Sequence, residues 1–184
     1  MKQRIIWLMS LTLMGCLMLG CVPGAGAENA IVPYIQDDAD LLTAAEEKAL
    51  YQDMLPICEY GTPLFWTTTE ISGNFETLAR QFYIRTLGQG QSGTLFVINM
   101  GVRQLTVFSD GAIYRTVTDS DGETITDNVY ALARDGDYYG CASSAFSQIY
   151  SLLRGERIAR PMKVISNGLL ALVLAMLGVY LYIS

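Results

Sequence analysis

Two acidic clusters are the first places to look for chemistry. One is Gln36-Asp37-Asp38-Ala39-Asp40; the other is Asp119-Ser120-Asp121-Gly122-Glu123, followed by Asp127. Clustered carboxylates suit hard cations, and Ca²⁺ takes about six to eight oxygen ligands. Neither cluster supplies that many alone, and neither has EF-hand spacing. A long-range site that uses Asp37, Asp38, Asp119 and Asp121 together is the expected form of a Ca²⁺ centre. The simpler reading of the same residues is turn and helix-cap acids, whose oxygens satisfy backbone N–H groups.

The chain contains no histidine. That removes the Ser-His-Asp and Cys-His nucleophile systems. It also removes the usual zinc sites, because two cysteines are too few ligands. Gly88-Gln89-Gly90-Gln91-Ser92-Gly93 has the GxGxxG spacing of a dinucleotide loop. Such a loop must run from strand into helix so that phosphate meets the helix N-terminus. Here it leaves a helical pattern and enters a strand, so no nucleotide is expected. Asp119-Ser120-Asp121 follows a strand-like stretch and is similar to the paired aspartates of haloacid-dehalogenase-type phosphatases. In those enzymes one Asp attacks phosphorus and the other protonates the leaving group. Their pattern needs Thr or Val where Glu123 stands, and a downstream Lys that this chain lacks before Lys163. No residue is assigned a catalytic role on this reading.

Two of the four cysteines, Cys58 and Cys141, lie outside the N-terminal apolar segment. In an exported domain they permit one disulfide; two free thiols fit the sequence equally well.

The elements that must hold these residues follow from periodicity. Thr43-Ala44-Ala45-Glu46 is a capping box, so a helix starts after Thr43 with Ala45, Ala49, Leu50 and Met54 inward, and Pro56 stops it. Thr62 to Thr69 reads as a strand. Asn74 caps a second helix, with Phe75, Leu78, Ala79 and Phe82 on one face and Gly88 at its end. Gly93 to Met100 is apolar throughout, as a strand buried on both faces must be. Gln104 to Ser109 alternates, and Ile113 to Val117 is expected to add a further strand. Helices over about 123–134 and 138–153 follow, the second capped by Asp137. The expected fold is α/β, a three-layer α/β/α sandwich around a mixed four-stranded sheet with a parallel pair.

Both ends of the chain are apolar. Lys2 and Arg4 precede an apolar run from Ile5 to Cys21, and Gly24-Ala25-Gly26-Ala27 follows. This is the pattern of an export signal over 1–27, cleaved after Ala27. Leu17-Met18-Leu19-Gly20-Cys21 is similar to a lipobox, so lipidation at Cys21 is the alternative, and an uncleaved anchor the blander one. Val164 to Ile183 is an uncharged stretch of 20 residues. At 1.5 Å per residue it spans about 30 Å, enough for one crossing of a bilayer. Arg154, Arg157, Arg160 and Lys163 precede it and no base follows, against the usual positive-inside bias. Two explanations fit: a long exported domain translocates largely regardless of charge, or the chain continues natively past Ser184, which is the favoured expectation. An extracytoplasmic domain over 28–160 and a transmembrane helix over 164–183 complete the plan, with the lipid bilayer and a membrane protein as partners.

The net charge is −6 over the whole chain. Residues 28–153 hold 17 acidic and 6 basic side chains, so the body is strongly acidic. That excludes nucleic acid as a partner, because phosphates need a basic face. The basic collar at 154–163 suits either anionic headgroups or a solvated helix end.

Several stretches resemble the TPM domain family. Ile35-Gln36-Asp37-Asp38-Ala39-Asp40-Leu41-Leu42-Thr43, with Glu46, resembles its opening. Gly93-Thr94-Leu95-Phe96-Val97-Ile98, followed by Arg103, resembles its central strand, and Gly111 the glycine after the next strand. Gly136-Asp137-Tyr138-Tyr139 to Phe146, then Gly155 to Pro161-Met162 and Asn167, is similar to a Firmicutes-type envelope subgroup. The resemblance implies an α/β/α sandwich on the outer side of a membrane, Ca²⁺ binding in some members, and an acid phosphatase activity claimed for a plant member. By match, Asp37 takes the place of the family's N-terminal Asp and Arg103 that of its post-strand Arg, for which a structural ion pair is the blander role. The functional expectation is a membrane-anchored, non-enzymatic binding or accessory module. A weak, metal-assisted phosphatase and a Ca²⁺-binding structural module are the alternatives.

Overall fold

The computed structural model describes residues 31–71 and 73–183. The expected signal, with Ala27 and Cys21, lies outside the described residues. The sheet is built from β1 (Tyr34–Asp37), β2 (Thr62–Thr68), β3 (Gly93–Asn99) and β4 (Gln104–Asp110), in that spatial order. β1, β2 and β3 run parallel, and β4 returns antiparallel beside β3. The helices are α1 (Ala44–Met54), α2 (Phe75–Thr86), α3 (Asp119–Arg134), α4 (Tyr138–Leu153) and α5 (Pro161–Ile183).

The two central strands explain the layering. β2 and β3 are apolar on both faces, and alternate side chains enter two separate cores. Phe65, Phe96 and Ile98 point into one core with Leu50 and Met54 of α1, Ile125 and Val129 of α3, and Phe146 and Ile149 of α4. Leu64, Trp66, Leu95 and Val97 point into the other, closed by Phe75, Ala79, Phe82 and Tyr83 of α2. One helix therefore covers one face and three cover the other, which is the expected α/β/α sandwich. The smaller core is fixed by Trp66 stacked on Phe82, with ring centroids 4.1 Å apart and planes 4° from parallel.

Local signals account for most of the ends. The Thr43 hydroxyl accepts from Glu46 N–H at 3.3 Å, and the Glu46 carboxylate takes the Thr43 N–H at 2.8 Å. These bonds hold the Glu46 carboxyl below its usual range. Asn74 and Asp137 cap α2 and α4 through their side chains.

Three expectations change. Ile113–Val117 is not a strand: residues Ile113–Arg115 form a 3₁₀ turn. Ile113 and Val117 are four residues apart, and a turn of helical type puts both into the core, where each is about 1% exposed. The fourth strand is instead β1, too short for a strand pattern to stand out. Finally, α3 begins at Asp119, not near residue 123, because Asp121 caps it. The Asp121 carboxylate accepts from the Thr118 N–H at 3.2 Å and the Thr118 hydroxyl at 2.7 Å.

The segment before α5 is fastened to the domain. Asn128 Nδ2 donates to the Ala159 carbonyl at 2.9 Å, and Arg160 Nη2 donates to Asp121 Oδ1 at 2.6 Å. Ile158 packs on the larger core. In α5 itself, Leu169, Leu172, Val173, Met176 and Val179 are exposed. Among the described residues no helix is long and apolar enough to cross a membrane. The span expected over 164–183 includes side chains, at 164–165, 167 and 181–183, that lie outside the description.

Candidate functional site: an arginine cleft at the strand ends

Parallel strands gather their carboxyl ends on one side of a sheet, and open α/β folds place ligands there. Asp37 ends β1 at that side with Asp38 just beyond it, and Asn99 ends β3 there with Arg103 following in the turn. The four residues do different work.

Asp37 is a structural acceptor. Its carboxylate takes the N–H of Leu41 at 3.1 Å, the N–H of Leu42 at 2.8 Å, and the hydroxyl of Thr67. Asp38 accepts from the Trp66 indole N–H at 2.9 Å and from Gln36 Nε2 at 2.7 Å. The second acidic cluster is elsewhere. Asp119 and Asp121 open α3, which packs on β4, at the far edge of the sheet from β1. Asp119 accepts from the Tyr114 hydroxyl at 3.0 Å, and Asp121 is taken by Thr118 and Arg160. The structure thus does not bring Asp37 and Asp38 together with Asp119 and Asp121. Among the described residues no three His, Cys, Asp or Glu side chains meet in a metal-binding group. Cys58 and Cys141 are free thiols, the second alternative of the sequence reading. Burial pushes the Cys141 thiol up to about 12 and raises that of Cys58.

The GxGxxG stretch is the α2–β3 loop. Its Gly90 N–H donates to the Asp110 carboxylate at 3.2 Å, and the Gln91 carbonyl accepts from the Tyr83 hydroxyl at 2.6 Å. An acid already occupies the amide that a phosphate would need.

The β3–β4 turn and the α3–α4 corner enclose a cleft of about 320 Å³. Asn99 sets the turn. It is 1% exposed, and its Oδ1 accepts from Gly101 N–H at 2.8 Å and Val102 N–H at 3.2 Å, while its Nδ2 donates to the Glu70 carbonyl at 3.0 Å. Gly101 is required here: a Cβ would collide with the Thr69 carbonyl oxygen. The turn ends on Arg103 with φ of 53°, the left-handed region that costs a residue with a Cβ about 1 kcal/mol. Opposite it, α3 contributes Tyr130 and Arg134, and α4 contributes Tyr138.

Two guanidinium groups therefore line the same cleft. Arg134 Nε pairs with its neighbour Asp135 at 3.0 Å in solvent, an exposed contact of little energetic weight. Among the described residues Arg103 has no acidic partner within ion-pair distance. The lining includes two arginines, two tyrosines, Asn99 and Gln104, but no Ser, Thr, Cys, His, Asp or Glu. Such a wall donates hydrogen bonds to an anion and offers it aromatic surface. It holds no activated nucleophile and no carboxylate base.

Of these residues the sequence singled out Arg103 alone. A signal for the others existed. Tyr130 and Arg134 are four apart on α3, off the Ile125–Val129–Leu132 stripe, so they share a second face beside the core face.

Comparison with known proteins agrees with this architecture. The family model for the TPM domain matches residues 35–152. The chain belongs to the TPM domain family. Among solved structures, the N-terminal domain of a protein from P. gingivalis is similar, with 19% identity and a TM-score of 0.56, over 66% of this chain and 82% of that one. The N-terminal domain of a Corynebacterium glutamicum protein has 13% identity and a TM-score of 0.52, over 64% and 77%. A protein from the psychrophilic bacterium Bizionia argentinensis has 17% identity and a TM-score of 0.51, over 61% and 81%. At these identities the likeness is one of fold. No curated protein matches the chain.

Proposed function

We infer that this TPM domain is a binding module that grips an anionic group of a partner in the Arg103–Arg134 cleft without transforming it. The single observation behind the reading is the composition of that cleft. Two arginines and two tyrosines line it, with no Ser, Thr, Cys, His, Asp or Glu beside them to serve as an activated nucleophile or carboxylate base. The acidic body around it makes this pair of arginines a local exception, which favours selective rather than diffuse anion binding. The apolar ends of the sequence support a place in the cell envelope, with the domain outside and α5 as its membrane anchor. A membrane protein is then the natural bearer of the anionic group.

A second reading keeps the phosphatase. Paired arginines also hold phosphoryl groups, so a phosphomonoester fits the same cleft. The full chain should be titrated with inorganic phosphate and with p-nitrophenyl phosphate, with and without millimolar Ca²⁺. Binding that Arg103→Ala weakens about tenfold, without product, supports the module. Ca²⁺-dependent turnover that is lost in Asp37→Ala, at a temperature where the variant is still folded, would replace it with the metal-assisted enzyme. Protease shaving of intact cells tests the outward placement: an inaccessible domain contradicts it.

A further inference from the structure

The sheet has two edges, and they are built differently. β1 has 4 residues and follows Pro33, so it presents a short ladder. β4 has 7 residues, with neither proline nor lysine and no charge before its final Asp110. Its pairing with β3 is continuous from Gln104 to Asp110, so no bulge twists the edge away. Folded proteins ordinarily blunt an edge of this length by one of those devices.

Leu105, Thr106, Val107 and Phe108 instead form the floor of a groove of about 580 Å³ whose walls are α2 and α3. The walls stand on opposite faces of the strand. Leu105 and Val107 lean toward the α3 side, and Phe108 leans toward α2, with its ring 5.1 Å from that of Tyr83. α3 comes this close because residue 122 is glycine: a Cβ there would lie 3.3 Å from the Val107 carbonyl oxygen. Alternate residues of an antiparallel edge strand turn their N–H and C=O groups away from the partner strand. The groove therefore presents backbone donors and acceptors along its floor.

Its walls are charged unequally: the α2 wall carries one acid and one base, and the α3 wall carries two acids. Glu76 and Arg80 come from α2, and Asp119 and Glu123 from α3. A second copy paired edge to edge would bring the acidic α3 walls face to face. A basic segment is the complementary occupant.

We propose that the β4 edge docks an extended peptide segment of another protein, basic at alternate positions, as a fifth strand of the sheet. Main-chain bonds to β4 supply affinity. Side chains alternate between the walls, so every second one faces α3, where Lys or Arg meets Asp119 and Glu123. The site shares Leu105 with the arginine cleft but none of its charged groups, and it prefers the opposite charge.

The test uses the full chain and a fluorescent, acetylated hexapeptide of alternating Lys and Val. Saturable anisotropy binding is expected, at least tenfold weaker for the Glu–Val counterpart and for wild-type peptide against Glu123→Lys. Peptides N-methylated at alternate amides separate strand addition from charge attraction. One methylation register should abolish binding and the other should retain it. Equal affinity of the two registers, equal affinity of the acidic peptide, or no binding overturns the proposal. So does concentration-dependent dimerisation that the peptide fails to disrupt, which would make a second copy the occupant. The same titration in Arg103→Ala keeps the two sites separate: its peptide affinity should be unchanged even if the cleft binds no anion.

Discussion

Asp37 and Thr67 are register partners across the parallel β1–β2 ladder, and the Thr67 hydroxyl donates to the Asp37 carboxylate. The same hydroxyl oxygen accepts from the Ala39 N–H at 2.9 Å. With the Leu41 and Leu42 N–H groups also on Asp37, one carboxylate folds the whole 37–42 corner into place. Asp37→Ala leaves those donors without their acceptor in a half-buried corner. It should cost about 2 kcal/mol of unfolding free energy in urea denaturation. The expected loss is the same with and without Ca²⁺; a Ca²⁺-dependent part would signal a metal on this corner.

Arg103 carries opposing contributions to stability and binding. Its left-handed backbone favours glycine. Arg103→Gly should therefore hold or raise stability, by about 0.5 kcal/mol, while anion affinity falls about tenfold. Arg103→Lys keeps the charge but loses the planar fork, so intermediate affinity is expected. Calorimetric titration with phosphate, paired with thermal melting, reads both effects. A Gly variant that loses both stability and binding would make Arg103 a structural residue.

The thiols give a pH prediction. Burial raises both, Cys141 to about 12 and Cys58 by a lesser degree of enclosure. The folded state therefore keeps its thiol protons longer than the unfolded chain, whose cysteines ionise at about 8.5. Stability from this source is complete below that pH and is lost as pH rises toward 12. In a thiol-exchange assay at mild alkaline pH, Cys58 should react slowly and Cys141 only on unfolding. Rapid reaction of Cys141 would show that α4 opens locally.

The stacked pair of Trp66 and Phe82 anchors α2 to the sheet. Phe82→Ala removes a ring that is 2% exposed and should cost about 3–4 kcal/mol. Tryptophan fluorescence should shift to the red in the same variant. An unchanged spectrum and a loss under about 1 kcal/mol would mean that the neighbouring residues refill the space.

The long elements were legible because their signals were local. Thr43 with Glu46, Asn74 and Asp137 announced three helix starts, and the apolar run of β3 announced a doubly covered strand. What failed was short or non-local. β1 is held by pairing with β2, which no local pattern reports. Ile113 and Val117 have a spacing that fits a helical turn as well as a strand. Among the acids, Asp37 and Asp121 were noticed for their charge, yet both serve as backbone and side-chain acceptors. The cleft was hidden for a different reason: Arg103 and Arg134 are separated by all of β4 and most of α3, and only the fold makes them neighbours.

The bond from Arg160 to Asp121 has a mechanical meaning. Residues 158–160 are pinned to the larger core and to α3, and α5 begins at the next residue, Pro161. A flexible linker would let the domain swing freely over a wide arc. Here no slack separates the body from the helix. A rotation or tilt imposed on α5 is passed to the domain as through a short crank, and the arginine cleft and the β4 edge are carried with it.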